Sequence, residues 1–308
     1  EPMLLTAVPK PFADAAWLYQ VKWDGVRNLT LVDAGRIWHW SRRLRDRTRL
    51  YPDLDGMASL FGGQRAVLDG EIIVLRGGKP SFAAILERET SGAADPRKIQ
   101  RLPATLMIFD LLEYGGESLY HRPVEERLRL AEQLIAPTES WQVTGSFPGT
   151  AGPDLFGAIE AQGMEGVVAK RLGTGYSPGL RTRDWLKIKR KQRMVAVICG
   201  FTEPVGRPGG LLLGVYHEGR LRYIGRVGSG VTSVDLAMLK AHLPRRPSPF
   251  DYEPNLRDRF SGPPGPVVWT EPRVTVLVEF TEWTEEQKLR DPVVVGFSTE
   301  PPEVAQIT

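Results

Sequence analysis

The sequence predicts an α+β protein in two domains: antiparallel sheets with a few helices, then a small closed β-barrel. Three observations lead to that class. At 308 residues the chain is too long for one modest hydrophobic core. Short apolar runs with strand periodicity dominate, and only a few helical patterns interrupt them. After Lys191 the sequence changes character, from mixed strand and helix to strands separated by Gly-rich turns. The boundary falls at residues 189–193, which gives domains 1–190 and 191–308.

In the first domain the strand candidates are "WLYQVKW", "NLTLV", "RIWHW", "AVLDGEIIVL", "ATLMIFDLL", "EGVVAKR" and "WLKIK". Helices are expected at "YPDLDGMASLF", "SFAAILER", "PVEERLRLAEQLI" and "GPDLFGAIEAQG". Pro123 suits the first turn of the third, whose Leu128, Ala131, Leu134 and Ile135 make one apolar face, and Gly163 suits the end of the fourth. In the second domain "MVAVICGFT", "GLLLGVYHEG", "RLRYIGRVGSG" and "VTVLVEFTEW" read as strands, with one interposed helix at "SVDLAMLKAHL". Few strands, tight turns and a single helix fit a five-stranded oligonucleotide-binding fold. The Pro-rich stretches at 244–254 and 262–266 read as loops.

Composition excludes several classes. Hydrophobic content of 42% and charged content of 25% are ordinary for a globular chain, and a formal net charge of +3 announces no nucleic-acid partner. The basic residues are bunched, however, in "SRRLRDRTR" (Ser41 to Arg49) and "KIKRKQR" (Lys187 to Arg193). Such runs are either solvated faces or phosphate-binding patches. One cysteine, Cys199, forms no internal disulfide and no Cys-rich zinc module, and its apolar surroundings make it a small core residue. No apolar run reaches membrane-spanning length and no signal-peptide pattern is present, so a cytoplasmic location is expected.

The stretch "YQVKWDGVR" sets a charged cluster inside an apolar strand. Burial would disfavour the charged form of Lys22, which is how an ammonium becomes a usable nucleophile. Asp24-Gly25 reads as a tight hairpin turn, with Arg27 beginning the return strand. An ordinary surface lysine beside a turn fits the same residues. Charges recur at other strand ends: Asp69 and Glu71 in "LDGEIIV", Glu165 and Lys170 in "EGVVAKR", and Lys187 and Lys189 on one face of "WLKIK". Lysines and carboxylates together suit a nucleoside triphosphate with a divalent metal, and no Walker-type glycine loop is present.

With these residues in view, the chain resembles the covalent nucleotidyltransferases: ATP-dependent DNA ligases, RNA ligases and mRNA capping enzymes. "KWDGVR" matches their Lys-x-Asp-Gly-x-Arg signature, and Ser41-Arg42, "LDGE", "IFDLL", "EGVVAK" and "WLKIK" follow in the family's order. In the second domain "GGLLLGVY", "LRYIGRVGSG" and "VEFTEWTEEQKLRDP" resemble the ligase domain of bacterial ligase D, which acts in non-homologous end joining. The resemblance implies an adenylation (nucleotidyltransferase) domain at 1–190 and an oligonucleotide-binding-fold domain at 191–308. It implies that Lys22 attacks the α-phosphate of ATP to form lysyl-AMP. Arg27 and Arg42 would hold sugar or phosphate oxygens, Glu71 the ribose, and Phe109 would stack on adenine. From the residues alone, Phe109 reads equally as a core phenylalanine. Glu165 would bind Mg²⁺ or Mn²⁺, Lys187 and Lys189 the α-phosphate, and Arg42 and Arg43 the DNA. The implied substrate is nicked or broken double-stranded DNA, sealed by a monomer that works at the nucleoid. An end-joining polymerase, nuclease or end-binding protein is the expected partner.

Three features, at five positions, depart from the family pattern. Gln20 stands where relatives carry the glutamate that accepts from the adenine amino group. Asp291 replaces a histidine. The Arg-x-Asp-Lys element that orients pyrophosphate is represented by Ser298, Glu300 and Pro301 in "GFSTEPP". The first reading is an ATP-dependent DNA ligase. The alternatives are an RNA ligase or capping-type enzyme, and a DNA-end-binding module with weak self-adenylation. The missing cysteines disfavour an NAD⁺-dependent ligase.

Overall fold

A computed structural model describes residues 1–89, 95–204, 209–257, 265–284 and 286–307. The chain divides into two compact units, Glu1–Arg190 and Lys191–Thr308.

The first unit holds two sheets. In one, five strands run in the order Leu4–Ala7, Arg181–Lys189, Gly166–Arg171, Trp17–Lys22 and Ser146–Pro148. All neighbours are antiparallel except the first pair. The other runs Arg36–Ser41, Val26–Asp33, Ala66–Arg76, Ala104–Tyr114 and Glu117–Ser118, with Trp141–Val143 added parallel to Ala104–Tyr114. The strand alternation places Tyr19, Val167, Ala169, Leu186 and Ile188 on one face of the first sheet, packed against Ile159 of the helix Gly152–Ala161. The opposite face carries Lys22, Lys170, Lys187 and Lys189 among uncharged residues such as Gln20, Val168 and Trp185. The larger core lies on the second sheet. Leu68, Ile72, Leu106 and Ile108 meet Ala84 and Ile85 of the helix Phe82–Glu89 and Ala131 of the helix Val124–Leu134.

The expected hairpin at Asp24-Gly25 is not formed. Trp17–Lys22 and Val26–Asp33 belong to different sheets, so the chain steps across between them rather than folding back. Gly25 is required for another reason: a Cβ there would lie 2.2 Å from the Ile72 carbonyl oxygen. Asp-Gly carries the same local signal for both geometries, and only the strand partners separate them. Residues Pro52–Ser59 form a 3₁₀ helix, tighter than the α-helix expected there. Pro123 precedes its helix as the N-cap residue, one place before the first turn.

The helix Val124–Leu134 also buries a charge. Arg127 and Asp110 are both fully buried and pair bidentately, with both N–O distances 2.8 Å. Arg127 donates further to the carbonyls of Arg122 and Thr174. Every donor aimed inward therefore finds an acceptor, which is the condition for carrying an ion pair in a core.

In the second unit the strands Arg220–Val227, Leu211–His217, Gln192–Thr202, Thr275–Phe280 and Val293–Ser298 pair in that order. A bridge between Ser229 and Val293 joins the two ends and closes the barrel. Val293–Ser298 and the short Val267–Trp269 were not expected as strands. The helix Ser233–His242 seats Leu236 and Leu239 in the barrel core, and Thr232 and Asp235 cap it reciprocally. Cys199 is buried beside Phe250 and Leu212, and burial pushes its thiol pKa up. Residues 262–264 of the second Pro-rich stretch lie outside the described residues.

Arg127→Met should leave the buried Asp110 carboxylate without its charge partner, with only the Leu111 amide donating to it, and lower the unfolding free energy by roughly 3–5 kcal/mol. Urea denaturation of the single variant, and of a double variant that also carries Asp110→Leu, measures this. The double variant should regain much of the loss.

Candidate active site

The strand register assembles the site. Lys22, Gly166 and Lys189 stand directly opposite one another on three adjacent strands. Gln20, Val168 and Lys187 form the next row, and Leu18, Lys170 and Trp185 the one after. Opposed residues in antiparallel strands share a face, so all these side chains point away from the Tyr19 core. Gly166 has φ +148°, and a Cβ there would meet the Ile188 carbonyl at 2.1 Å. The centre of the first row must therefore lack a side chain. Glu165, just before it, fills the space. Its Oε2 lies 2.6 Å from Lys22 Nζ and its Oε1 2.9 Å from Lys189 Nζ.

The second sheet supplies the opposite wall. Arg27 is paired in register with Glu71. Asp69 holds Arg27 with two bonds of 2.6 and 2.7 Å and accepts a third, of 2.6 Å, from the Tyr176 hydroxyl. Between Asp69 and Gly70 the register with the neighbouring strand slips, since these residues face Asp110 and Ile108. Phe109 is the extra residue of that bulge, which re-aims its side chain. Its ring centroid lies 4.8 Å from the Arg27 guanidinium carbon and 6.3 Å, edge to face, from that of Trp185.

Between the walls lies a pocket lined by Gln20, Lys22, Arg27, Glu71, Phe109, Lys170 and Trp185, among others. Gln20 is 1% exposed. Its Nε2 donates to the Thr144 carbonyl at 3.1 Å and to Ser146 Oγ at 3.3 Å, while its buried Oε1 finds no donor among the described residues. A second hollow, also lined by Lys22, is bounded by Asp24, Lys79, Gly163 and Glu165. Burial pushes the Glu71 carboxyl up to about 7, although Lys22 and Arg27 pull it down. Burial also brings the Lys170 ammonium down to about 7 against the pull of Asp110. Lys170 Nζ sits 4.0 Å from the Trp185 ring centroid and donates to the Phe109 carbonyl.

Of the residues singled out from sequence, Gln20, Lys22, Arg27, Glu71 and Phe109 share this pocket, and Lys189 joins them through Glu165. Lys187 lies one row along, half-buried. Arg42 and Arg43 are exposed on the turn beyond Ser41 and do not enter the pocket. Sequence reading missed Trp185 as a wall and Thr144 and Ser146 as the partners of Gln20. Trp185 carried a signal, since it begins "WLKIK"; Thr144 and Ser146 carried none. Among the described residues no three carboxylate, imidazole or thiolate groups cluster to hold a metal.

Known proteins resemble this chain. Residues 2–189 match the family model of the ATP dependent DNA ligase domain, and residues 205–300 that of the ATP dependent DNA ligase C terminal region. The chain is 32% identical to a multifunctional non-homologous end joining protein LigD of Pseudomonas aeruginosa, over 98% of the chain and 36% of that protein. A DNA ligase of Thermococcus fumicolans is 30% identical over 91% of the chain and 50% of its own length. The chain thus spans about a third to a half of such relatives. Among solved structures, a mycobacterial DNA ligase D complexed with ATP and MES is 34% identical, with a TM-score of 0.58 over 99% of this chain and 98% of that one. The ligase domain of Mycobacterium tuberculosis LigD gives 32% and 0.56, over 100% and 98%.

The Lys170 amine has a pH consequence. Its pKa falls from 10.5 to about 7 on folding, so above pH 7 the unfolded chain binds more protons than the folded one. Stability should therefore rise with pH between about 7 and 9. Lys170→Met should remove that rise, as read from denaturant midpoints across the range.

Proposed function

The chain belongs to the ATP-dependent DNA ligase family, and on that premise we propose that it seals 3′-hydroxyl/5′-phosphate nicks in duplex DNA through lysyl-AMP formed on Lys22. The observation that carries this reading is the ion-paired trio Lys22–Glu165–Lys189 at the edge of a pocket in which, among the described residues, no donor meets the buried Gln20 Oε1. An adenine amino group supplies that donor, and a neutral amide suffices to accept it. Phe109 and Trp185 offer an aromatic wall for the base, and Glu71 an acceptor for a ribose hydroxyl.

With the base so placed, the α-phosphate comes to Lys22. The amine attacks phosphorus, the bond to the bridging oxygen breaks and pyrophosphate leaves. Lys189 and Lys187 meet the charge that develops on the phosphoryl oxygens. The AMP then passes to the 5′-phosphate of the nick, and the 3′-hydroxyl displaces it. Mg²⁺ or Mn²⁺ fits Glu165: one carboxylate beside a polyphosphate is the donor set such ions take with nucleotides. When bound, the ion neutralises phosphate oxygens. Arg42 and Arg43 would hold backbone phosphates, which makes binding independent of sequence and sensitive to salt.

End joining is the context the LigD relatives suggest, with a polymerase, nuclease or end-binding protein as partner and a monomer working at the nucleoid. Among the described residues no helix is long and apolar enough to cross a membrane.

A second reading, end binding with weak self-adenylation, draws on the strand Val293–Ser298. Ser298 Oγ accepts from the Glu300 amide at 3.1 Å, and Pro301 caps a 3₁₀ turn. Neither can offer a cation to departing pyrophosphate.

Incubation with ATP and Mg²⁺ or Mn²⁺ should yield an AMP adduct by intact mass. Lys22→Ala should abolish it without loss of thermal stability, and an adduct mapping to Lys187 or Lys189 would overturn the assignment. Self-adenylation should be slow while a pre-adenylated nick is sealed normally. Ser298→Arg with Pro301→Lys should speed the first step about 10²-fold or more, as a restored transition-state charge partner does, and leave sealing unchanged.

A further inference from the structure

The basic run at Ser41–Arg49 contains one apolar residue in an unfavourable conformation. Leu44 has φ +58°, in the left-handed region where hairpins of this kind take glycine. The turn is well formed. The Leu44 amide donates to the Ser41 carbonyl at 2.8 Å, the Ser41 amide to the Arg45 carbonyl at 2.9 Å, and the Arg45 amide to Ser41 Oγ at 3.1 Å. A leucine thus stands where glycine would cost less, and its side chain does not repay the cost by packing, since it is 51% exposed.

Its surroundings point to one kind of partner. Arg42, Arg43 and Arg45 are exposed around it. Asp46 is turned back onto the Thr48 amide at 2.8 Å, and Arg47 is drawn inward to Glu89, so the outward charge of the turn is positive. The sheet leading to the turn carries more apolar surface on the face that bears Arg27. Leu29 stands opposite Trp40 and Leu31 opposite Trp38, all half-buried. An apolar strip therefore runs from the pocket wall to a tip ringed by arginines. Phosphates match the arginines, and the sugars and base edges between two phosphate rows match the leucine.

We propose that Leu44 is a DNA-contacting residue, seated against sugars and base edges in a groove of the nicked duplex while the flanking arginines hold the phosphates. This rests on the reading that the Ser41–Arg49 turn contacts DNA. The contact is apolar and independent of base sequence, and it fixes the depth at which the turn sits beside the nick.

Leu44→Gly tests it, because glycine relieves the backbone and should fold at least as stably. Binding to nicked duplex, measured by fluorescence anisotropy from low to moderate salt, should weaken roughly tenfold, as loss of a buried leucine contact would require. The slope of log affinity against log salt should stay unchanged, and so should self-adenylation. Leu44→Met should restore most of the affinity. Arg42→Ala is the contrasting variant, expected to lower the salt slope by about one. Wild-type affinity in Leu44→Gly with a lowered slope in Arg42→Ala overturns the leucine contact alone. Wild-type behaviour in both overturns the placement of the turn on DNA as well.

Discussion

The carboxylate of Glu165, held between the ammonium groups of Lys22 and Lys189, is the interaction on which the site depends. Two lysines of like charge on strands that flank a third repel unless an anion stands between them. Gly166 lets those strands close up, since a Cβ there would strike the Ile188 carbonyl, and Glu165 beside it reaches both ammonium groups. In the proposed reaction the same carboxylate would also hold the divalent cation.

The second wall is built on a different principle. Arg27, Asp69 and Tyr176 form a hydrogen-bonded chain that continues to the Met3 amide, 2.9 Å from the Tyr176 hydroxyl. Arg27 also donates to the Met3 carbonyl at 3.1 Å. The chain ties a strand of one sheet to the segment that opens a strand of the other, which fixes the width of the pocket between them. Arg27 is therefore a structural tie as well as a pocket residue, and satisfaction of all these groups is what lets them stay buried.

The barrel unit closes and keeps its core with Ser298 ending its last strand and Pro301 just beyond it. Lys191 and Arg193 both pair with Glu279, so even the basic run that opens the unit is engaged at its far end.

The sequence by itself determined the strand alternation, the change of character after Lys191 and the motif residues, because side-chain period and charge placement are local properties. It therefore placed Lys22, Glu71, Glu165 and Lys189 on strands or at their ends before any partner was known. It could not determine which strands pair. Asp24-Gly25 read as a hairpin although the flanking strands enter different sheets. Phe109 read equally as core, because the bulge that turns it into the pocket arises from register with a distant strand. Nothing local marked Arg127 as buried, because its partner Asp110 lies on another element. The unmet oxygen of Gln20 was likewise decided by tertiary structure. Burial and register depend on contacts between residues far apart in the chain, and no local pattern encodes them.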